Sequence, residues 1–308
     1  MTNEEKRKLI TQLQSQGLKL VEHNGGASSR KGGAGPSDHK AVTIDNTTVM
    51  IPVHTSTAVK SDYSLTEFYP ESVNCAIEQS LVAGKTISQK TPEQLAEVAA
   101  AAVRLDGIEQ LVMTTGTPNT TDRGAAYLTK CAQAVKARVK LPIQAQCEPP
   151  DDFAWFKRMQ DSGVDSLGMH LEVIEPEIRD RIMPGKAKVS LDYYFQAFTA
   201  AVKVFGWGQV NTYILAGLGD SIETIVTTCD RLIKLGVYPF VVPFVPITGT
   251  PLANHQPPDS KFMYAIYEQV GEMLQQAGMS SQDIKAGCAK CGACSALSTF
   301  EKSGTKNK

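Results

Sequence analysis

Cys288-Ala289-Lys290-Cys291-Gly292-Ala293-Cys294 places three thiols two residues apart near the C-terminal end of the chain. That spacing lets a short loop wrap one face of a metal centre, as C-x2-C-x2-C runs do around iron-sulfur clusters. Zinc is the competing occupant, although a structural zinc site uses four ligands and only three are supplied here. A fourth group would have to come from elsewhere, with Cys147 and Cys75 as the candidates. Cys131 and Cys229 fall inside helical patterns and read as small buried hydrophobes. Seven cysteines in 308 residues is an odd count in a long chain, which argues against a disulfide framework. Free thiols and the polar start Met1-Thr2-Asn3-Glu4-Glu5-Lys6 lead us to expect a cytoplasmic protein.

A second set of chemical candidates sits where apolar runs end. It comprises Thr115-Gly116-Thr117, Cys147-Glu148, His170 with Glu172, Gly217 to Asp220, and Thr248-Gly249-Thr250. Any one of these could be a turn or a cap, since Asp220-Ser221-Ile222-Glu223 is also a capping box. Five polar ends on one rim point to a site, because parallel α/β sheets and barrels place chemistry at the C-terminal ends of their strands.

The elements that must position them follow from periodicity. From Thr91 onward, apolar runs of four to eight residues alternate with helical stretches, the pattern of βα units and a parallel sheet. Strands are expected at Gln110 to Thr115, Pro142 to Cys147, Ser166 to Leu171, Val210 to Leu215 and Pro239 to Val245. Helices are expected at Thr91 to Leu105, Asp122 to Val139, Asp152 to Gln160, Glu175 to Ile182, Leu191 to Phe205, Ser221 to Leu235 and Lys261 to Gln276. Upstream, a polar helix over Asn3 to Gln16 precedes a glycine-rich stretch around Asn24 to Ser37. Thr47 to His54 reads as one strand. Three regions result: 1–74, partly irregular; 75–280, the βα region; and 281–308, a Cys-rich tail.

Charge narrows the partners. Lys and Arg number 31 against 32 Asp and Glu. The first forty residues are +3, residues 285–308 are +4 and the body is −8. A chain so balanced is not a general nucleic-acid binder. The apolar run Tyr238 to Ile247 is interrupted by prolines and is too short for a bilayer. Two nucleotide motifs also fail. Gly84-Lys85-Thr86 ends like a phosphate loop, but Gln79 stands where its first glycine is needed. Gly217-Leu218-Gly219 follows a strand, but Ile222 occupies the third glycine position of the dinucleotide fingerprint.

Leu215-Ala216-Gly217-Leu218-Gly219-Asp220 and Phe244-Val245-Pro246-Ile247-Thr248-Gly249-Thr250-Pro251-Leu252 resemble the last strand ends of biotin-synthase-like radical SAM enzymes. More narrowly, Lys31 to Lys40, Gln146 to Phe156 and the Cys288 to Cys294 tail resemble the radical SAM proteins encoded beside nitrilases. The resemblance runs from about Arg30 to Glu301. It implies a partial TIM-type (βα) barrel, a [4Fe-4S] cluster, S-adenosylmethionine, a small-molecule substrate, and an electron donor such as ferredoxin or flavodoxin. It implies neither a nucleic-acid nor a membrane partner.

The same resemblance marks departures. The family's C-x3-C-x2-C loop maps onto Phe68, Ser72 and Cys75, so only Cys75 is a thiolate ligand, and the first barrel strand is missing between about Tyr63 and Asn74. By resemblance, Thr115, Gly116 and Thr117 stand at the turn that holds the methionine amino group, without its carboxylate. His170 and Glu172 stand at ribose-binding positions. Leu215 and Gly217 fit the fifth-strand motif, where Tyr213 replaces a glycine and Asp220 a glutamate. Val245 and Ile247 lie beside the adenine. Cys147 and Glu148 belong to the substrate side or to its support. The expectation is a radical SAM protein impaired in this shortened chain, its tail cysteines binding an auxiliary iron-sulfur cluster or zinc. The alternative is a noncatalytic βα domain whose metal-binding tail docks a partner.

Overall fold

The computed structural model describes residues 1–20, 39–54, 64–65, 90–246, 251–252 and 254–301. Helix α1 (Asn3–Gln16) opens on a Thr2 cap with Glu5 completing the capping box. It precedes a small sheet of β1 (Leu18–Leu20), β2 (His39–Ile44), β3 (Thr47–His54) and β4 (Ser64–Leu65), in the order β2-β3-β1-β4. Strand β2, not expected from the sequence, pairs antiparallel with β3. The residues between them, Asp45 and Asn46, both have positive φ, as a two-residue hairpin turn requires.

The expected βα succession then appears. Helix α2 (Pro92–Asp106), with Thr91 and Gln94 forming its capping box, leads to β5 (Leu111–Thr114) and α3 (Ala125–Lys136). Next come β6 (Ile143–Gln146), α4 (Ala154–Asp161) and β7 (Ser166–Gly168). The short helices α5 (Pro176–Ile182) and α6 (Pro184–Ala187) precede α7 (Leu191–Phe205), β8 (Val210–Ala216), α8 (Ile222–Lys234), β9 (Val237–Pro243) and α9 (Ser260–Gln276). The five strands form one parallel sheet in chain order, β5-β6-β7-β8-β9, the architecture of a partial (βα) barrel. Of the place proposed for a lost first strand, Ser64–Leu65 form β4, and the remainder, with Cys75, lies outside the described residues. Cys131 and Cys229 are fully buried in α3 and α8, as expected.

Strand alternation sorts side chains onto two faces. One face packs Leu111, Met113, Ile143, Ala145, Leu167, Val210 and Ile214 into the hydrophobic core. The inner face is unusually polar. Strand register aligns Val112, Gln144 and Ser166 in one row, and Thr114, Gln146, Gly168 and Asn211 in the row above.

The Cys-rich tail, set apart in the sequence, is held by the polar inner row. Gln209 donates from Nε2 to the Asp283 carbonyl at 3.0 Å and accepts from the Lys285 N–H at 3.0 Å. The Ala286 carbonyl accepts from Ser166 Oγ at 2.7 Å and from Gln144 Nε2 at 3.3 Å. Gly287 N–H donates to Gln110 Oε1 at 2.6 Å. Gln144 in β6, Ser166 in β7, and Gln110 and Gln209 immediately before β5 and β8 thus all bond the backbone of a single segment. One helical turn, α10 (Cys288–Cys291), follows, and the Ala293 carbonyl then accepts from Met50 N–H at 2.7 Å, bridging to the small sheet. After α11 (Leu297–Phe300), the Glu301 carboxylate accepts from Ser281 N–H and Oγ, both at 2.9 Å, and from the Tyr238 hydroxyl.

Candidate functional site at the strand ends and inner face

The loops after β5 and β6 are tied together above the sheet. The Asn119 side-chain oxygen accepts the N–H groups of Thr121, Asp122 and Arg123. Arg123 then reaches the Pro149 carbonyl and pairs with Asp151 at 2.8 Å. Thr115 is half-buried on this rim, and Gly116 and Thr117 are exposed. Cys147 belongs to the hydrophobic core, and burial pushes its thiol up to about 12. Glu148 is half-buried, and its carboxylate has no hydrogen bond or ion pair among the described residues.

His170 stacks edge-on against Tyr213, with centroids 4.7 Å apart. Its Nδ1 accepts the Tyr213 N–H at 3.2 Å, and its Nε2 is buried with no partner. Burial first, then the Lys186 charge, lowers its pKa to about 3, so the ring is neutral at physiological pH. Glu172 adopts φ +63°, a left-handed conformation rare for a non-glycine residue and found at constrained sites. Its carboxylate accepts from Lys186 Nζ at 2.6 Å, and the same nitrogen donates to the His170 carbonyl at 3.2 Å. Sequence reasoning missed Lys186, which has no recognisable motif and reaches the rim only through the turn α6.

Other nominated residues are engaged in holding the rim itself. Asp220 is 3% exposed, and its two oxygens accept the Ile174 and Glu175 N–H groups at 2.9 and 2.8 Å. Buried Arg179 donates to the carbonyls of Leu171 and Val173 at 2.7 and 2.6 Å. Gly217 has φ +103° and is closed over by Pro258, which would lie 2.7 Å from an added Cβ. Leu215 and Val245 are half-buried, while Ile247 lies outside the described residues, as do Thr248 to Thr250.

The tail brings Cys288 onto the inner face, where the Gln146 amide (3.9 Å) and the Tyr213 hydroxyl both reach its thiol. Burial raises the Cys288 pKa, and Cys294 is half-buried nearby, whereas Cys291 is exposed. Among the described residues no three metal-ligating side chains converge. Gln144, Gln146, Ser166, Gln209 and Asn211 were not foreseen as site residues. Their signal was available in the sequence: polar residues at every second position of strands otherwise rich in apolar ones.

The model of the Radical SAM superfamily matches residues 74–232, slightly more than half of the chain. Over 136 residues the chain is 32% identical to bacteriochlorophyllide c C-7(1)-hydroxylase of Chlorobaculum limnaeum, which covers 44% of this chain and 34% of that protein. It therefore spans about a third of that relative's length. Among solved structures, methylornithine synthase (PylB) is similar with a TM-score of 0.51 and 19% identity, covering 73% of this chain and 64% of that one. The hydrogenase maturase HydG from Carboxydothermus hydrogenoformans aligns with a TM-score of 0.47 and 16% identity, over 63% of this chain and 46% of that one. The superfamily match takes in four of the five parallel strands, β5 to β8, and the chain belongs to the radical SAM superfamily.

Proposed function

We propose that this chain seats S-adenosylmethionine across its strand ends and a small-molecule substrate against the inner face, and that its SAM-cleaving centre is impaired. The observation behind the seat is the buried, unpartnered Nε2 of His170 on a rim already braced by Asp220 and Arg179. A ready polar group without a partner fits a polar ligand. Thr115, His170, Leu215 and Val245 would hold the cofactor, which when bound supplies radical chemistry. The protein's own contribution is to bind and orient. Lys186 fixes the Glu172 side chain and the His170 carbonyl together. The neutral imidazole offers its N–H and carries no charge to repel a sulfonium.

The described residues do not fit the cluster in the same way, since no three ligands converge on one point. Cys75, with Phe68 and Ser72 at the two other ligand positions, lies outside them. We read the tail cysteines as the place for an auxiliary iron-sulfur cluster, with zinc as the alternative. Cys288 and Cys291 share one helical turn, which supports joint ligation once the side chains rotate. A ferredoxin or flavodoxin would be the electron donor. The rival reading, a noncatalytic domain with a partner-docking tail, is favoured only by the exposure of Cys291. It leaves unexplained why the tail backbone is bound inside the barrel.

The test is anaerobic reconstitution followed by assay for 5′-deoxyadenosine and calorimetric titration with S-adenosylmethionine. Binding that weakens in His170→Phe, with no 5′-deoxyadenosine above the iron-free control, is expected. Production of 5′-deoxyadenosine would overturn the impairment. Zinc uptake without S-adenosylmethionine binding would favour the docking domain instead.

A further inference from the structure

Two of the tail thiols share one turn but differ in access. Cys291 is exposed, whereas Cys288 is half-buried on the inner face, where the Gln146 amide nitrogen lies 3.9 Å from its sulfur and the Tyr213 hydroxyl also reaches it. Both belong to the single helical turn α10, which the Cys291 N–H closes by donating to the Gly287 carbonyl at 2.9 Å. Residues three apart on a helix share a face, with Cβ atoms about 5–6 Å apart. A disulfide spans about 3.5–4.5 Å between Cβ atoms, so the turn has to tighten by about 1–2 Å. Glycine bounds it on both sides, with φ +119° at Gly287 and +66° at Gly292, so the adjustment falls on residues without a Cβ to clash. No three metal-ligating side chains converge among the described residues, but a disulfide needs only two thiols.

We propose that Cys288 and Cys291 form a dithiol–disulfide pair whose oxidation state decides whether the tail can take up metal. The oxidant is a small-molecule disulfide of the glutathione class. The exposed Cys291 gives up its proton, and its sulfur attacks one sulfur of that disulfide, breaking the S–S bond and releasing one small thiol. Cys288 then gives up its proton and attacks the Cys291 sulfur of the mixed disulfide. The intramolecular bond forms and the second small thiol leaves. The two protein thiols lose two electrons and two protons, and the two small thiols gain them. Cys294 then remains as one thiol where the cluster reading uses three, and a small dithiol such as dithiothreitol reverses the change. Cys131, Cys147 and Cys229 are buried away from the reagent. Control of metal uptake rests on the reading of the tail as a cluster site, but the disulfide itself does not.

The test treats the full chain anaerobically with glutathione disulfide before any iron is added, blocks the remaining thiols and maps tryptic peptides without reduction. Cleavage after Lys285, Lys290 and Lys302 separates residues 286–290 from 291–302, so the expected bond joins these two peptides. The joined pair should persist in Cys294→Ser, which removes the third tail thiol. In Cys288→Ser, which lacks the resolving thiol, a glutathione adduct should accumulate on Cys291. No joined pair in the unaltered chain, its loss in a folded Cys294→Ser, a bond to Cys75 or to a buried cysteine instead, or no adduct on Cys291 in Cys288→Ser would each overturn the proposal. Iron uptake is then measured on the oxidised chain before and after dithiothreitol. The oxidised chain should hold almost none of the iron that the reduced chain binds. Equal iron in both states with the bond intact overturns the control of metal uptake. No iron in either state defeats the cluster reading, and with it that control, while the disulfide stands.

Discussion

At the scale of single residues, His170 ties stability to pH. Its pKa is about 3 in the folded chain against an ordinary value of 6.5, because charging it would bury an ion. The neutral ring therefore contributes stability that is complete above about pH 6.5 and is lost as pH falls toward 3, where the folded form also protonates. Urea unfolding across this window should show stability dropping by up to about 1.4 kcal/mol per pH unit, and His170→Gln should flatten that part of the profile. Asp220 makes a second residue-scale prediction. Removing its carboxylate strands two buried N–H groups, so Asp220→Ala should cost about 1–3 kcal/mol by urea unfolding. The sequence placed both residues at the rim but could not separate their duties. Whether a carboxylate is free or spent on backbone depends on where the chain at Ile174 and Glu175 passes, which no motif records.

At the scale of elements, the tail is the informative one. The thiol spacing was legible, and so were the strands and helices after Thr91, because alternation and capping boxes are local. The route of residues 283–287 was not, because it is fixed by Gln110, Gln144, Ser166 and Gln209, up to 177 residues away in sequence. Those side chains looked like ordinary polar residues until the sheet aligned them. The β2–β3 hairpin was half-read for a different reason: Asp45-Asn46 is a workable positive-φ turn, but only the longer strand was marked. Gly287 is where the tail is most sensitive. Its φ is +119°, and an added Cβ would fall 2.1 Å from Gln144 Nε2. Gly287→Ala should lift the segment off the inner row and speed maleimide labelling of Cys288, with Cys131 and Cys229 still protected. An unchanged labelling rate would show that the row does not hold the tail.

At the scale of the whole molecule, a half-barrel of five strands is closed on its inner side by its own C-terminal segment, which also bonds the small N-terminal sheet through Met50 and Ala293. Along the sequence, two basic ends flank an acidic body, and the tail returns to bond the inner face of the sheet. None of the described helices is long and apolar enough to cross a membrane. This arrangement places Cys288 beside the polar inner face and makes the tail part of the barrel's interior. The most direct measurement is anaerobic iron and sulfide quantification with EPR, recorded with and without S-adenosylmethionine, on the full chain and on a Cys288→Ser, Cys291→Ser, Cys294→Ser variant. The account predicts cluster iron, up to about four per chain, that disappears in the triple variant. Retention of the same iron and the same EPR signal by the triple variant would contradict it.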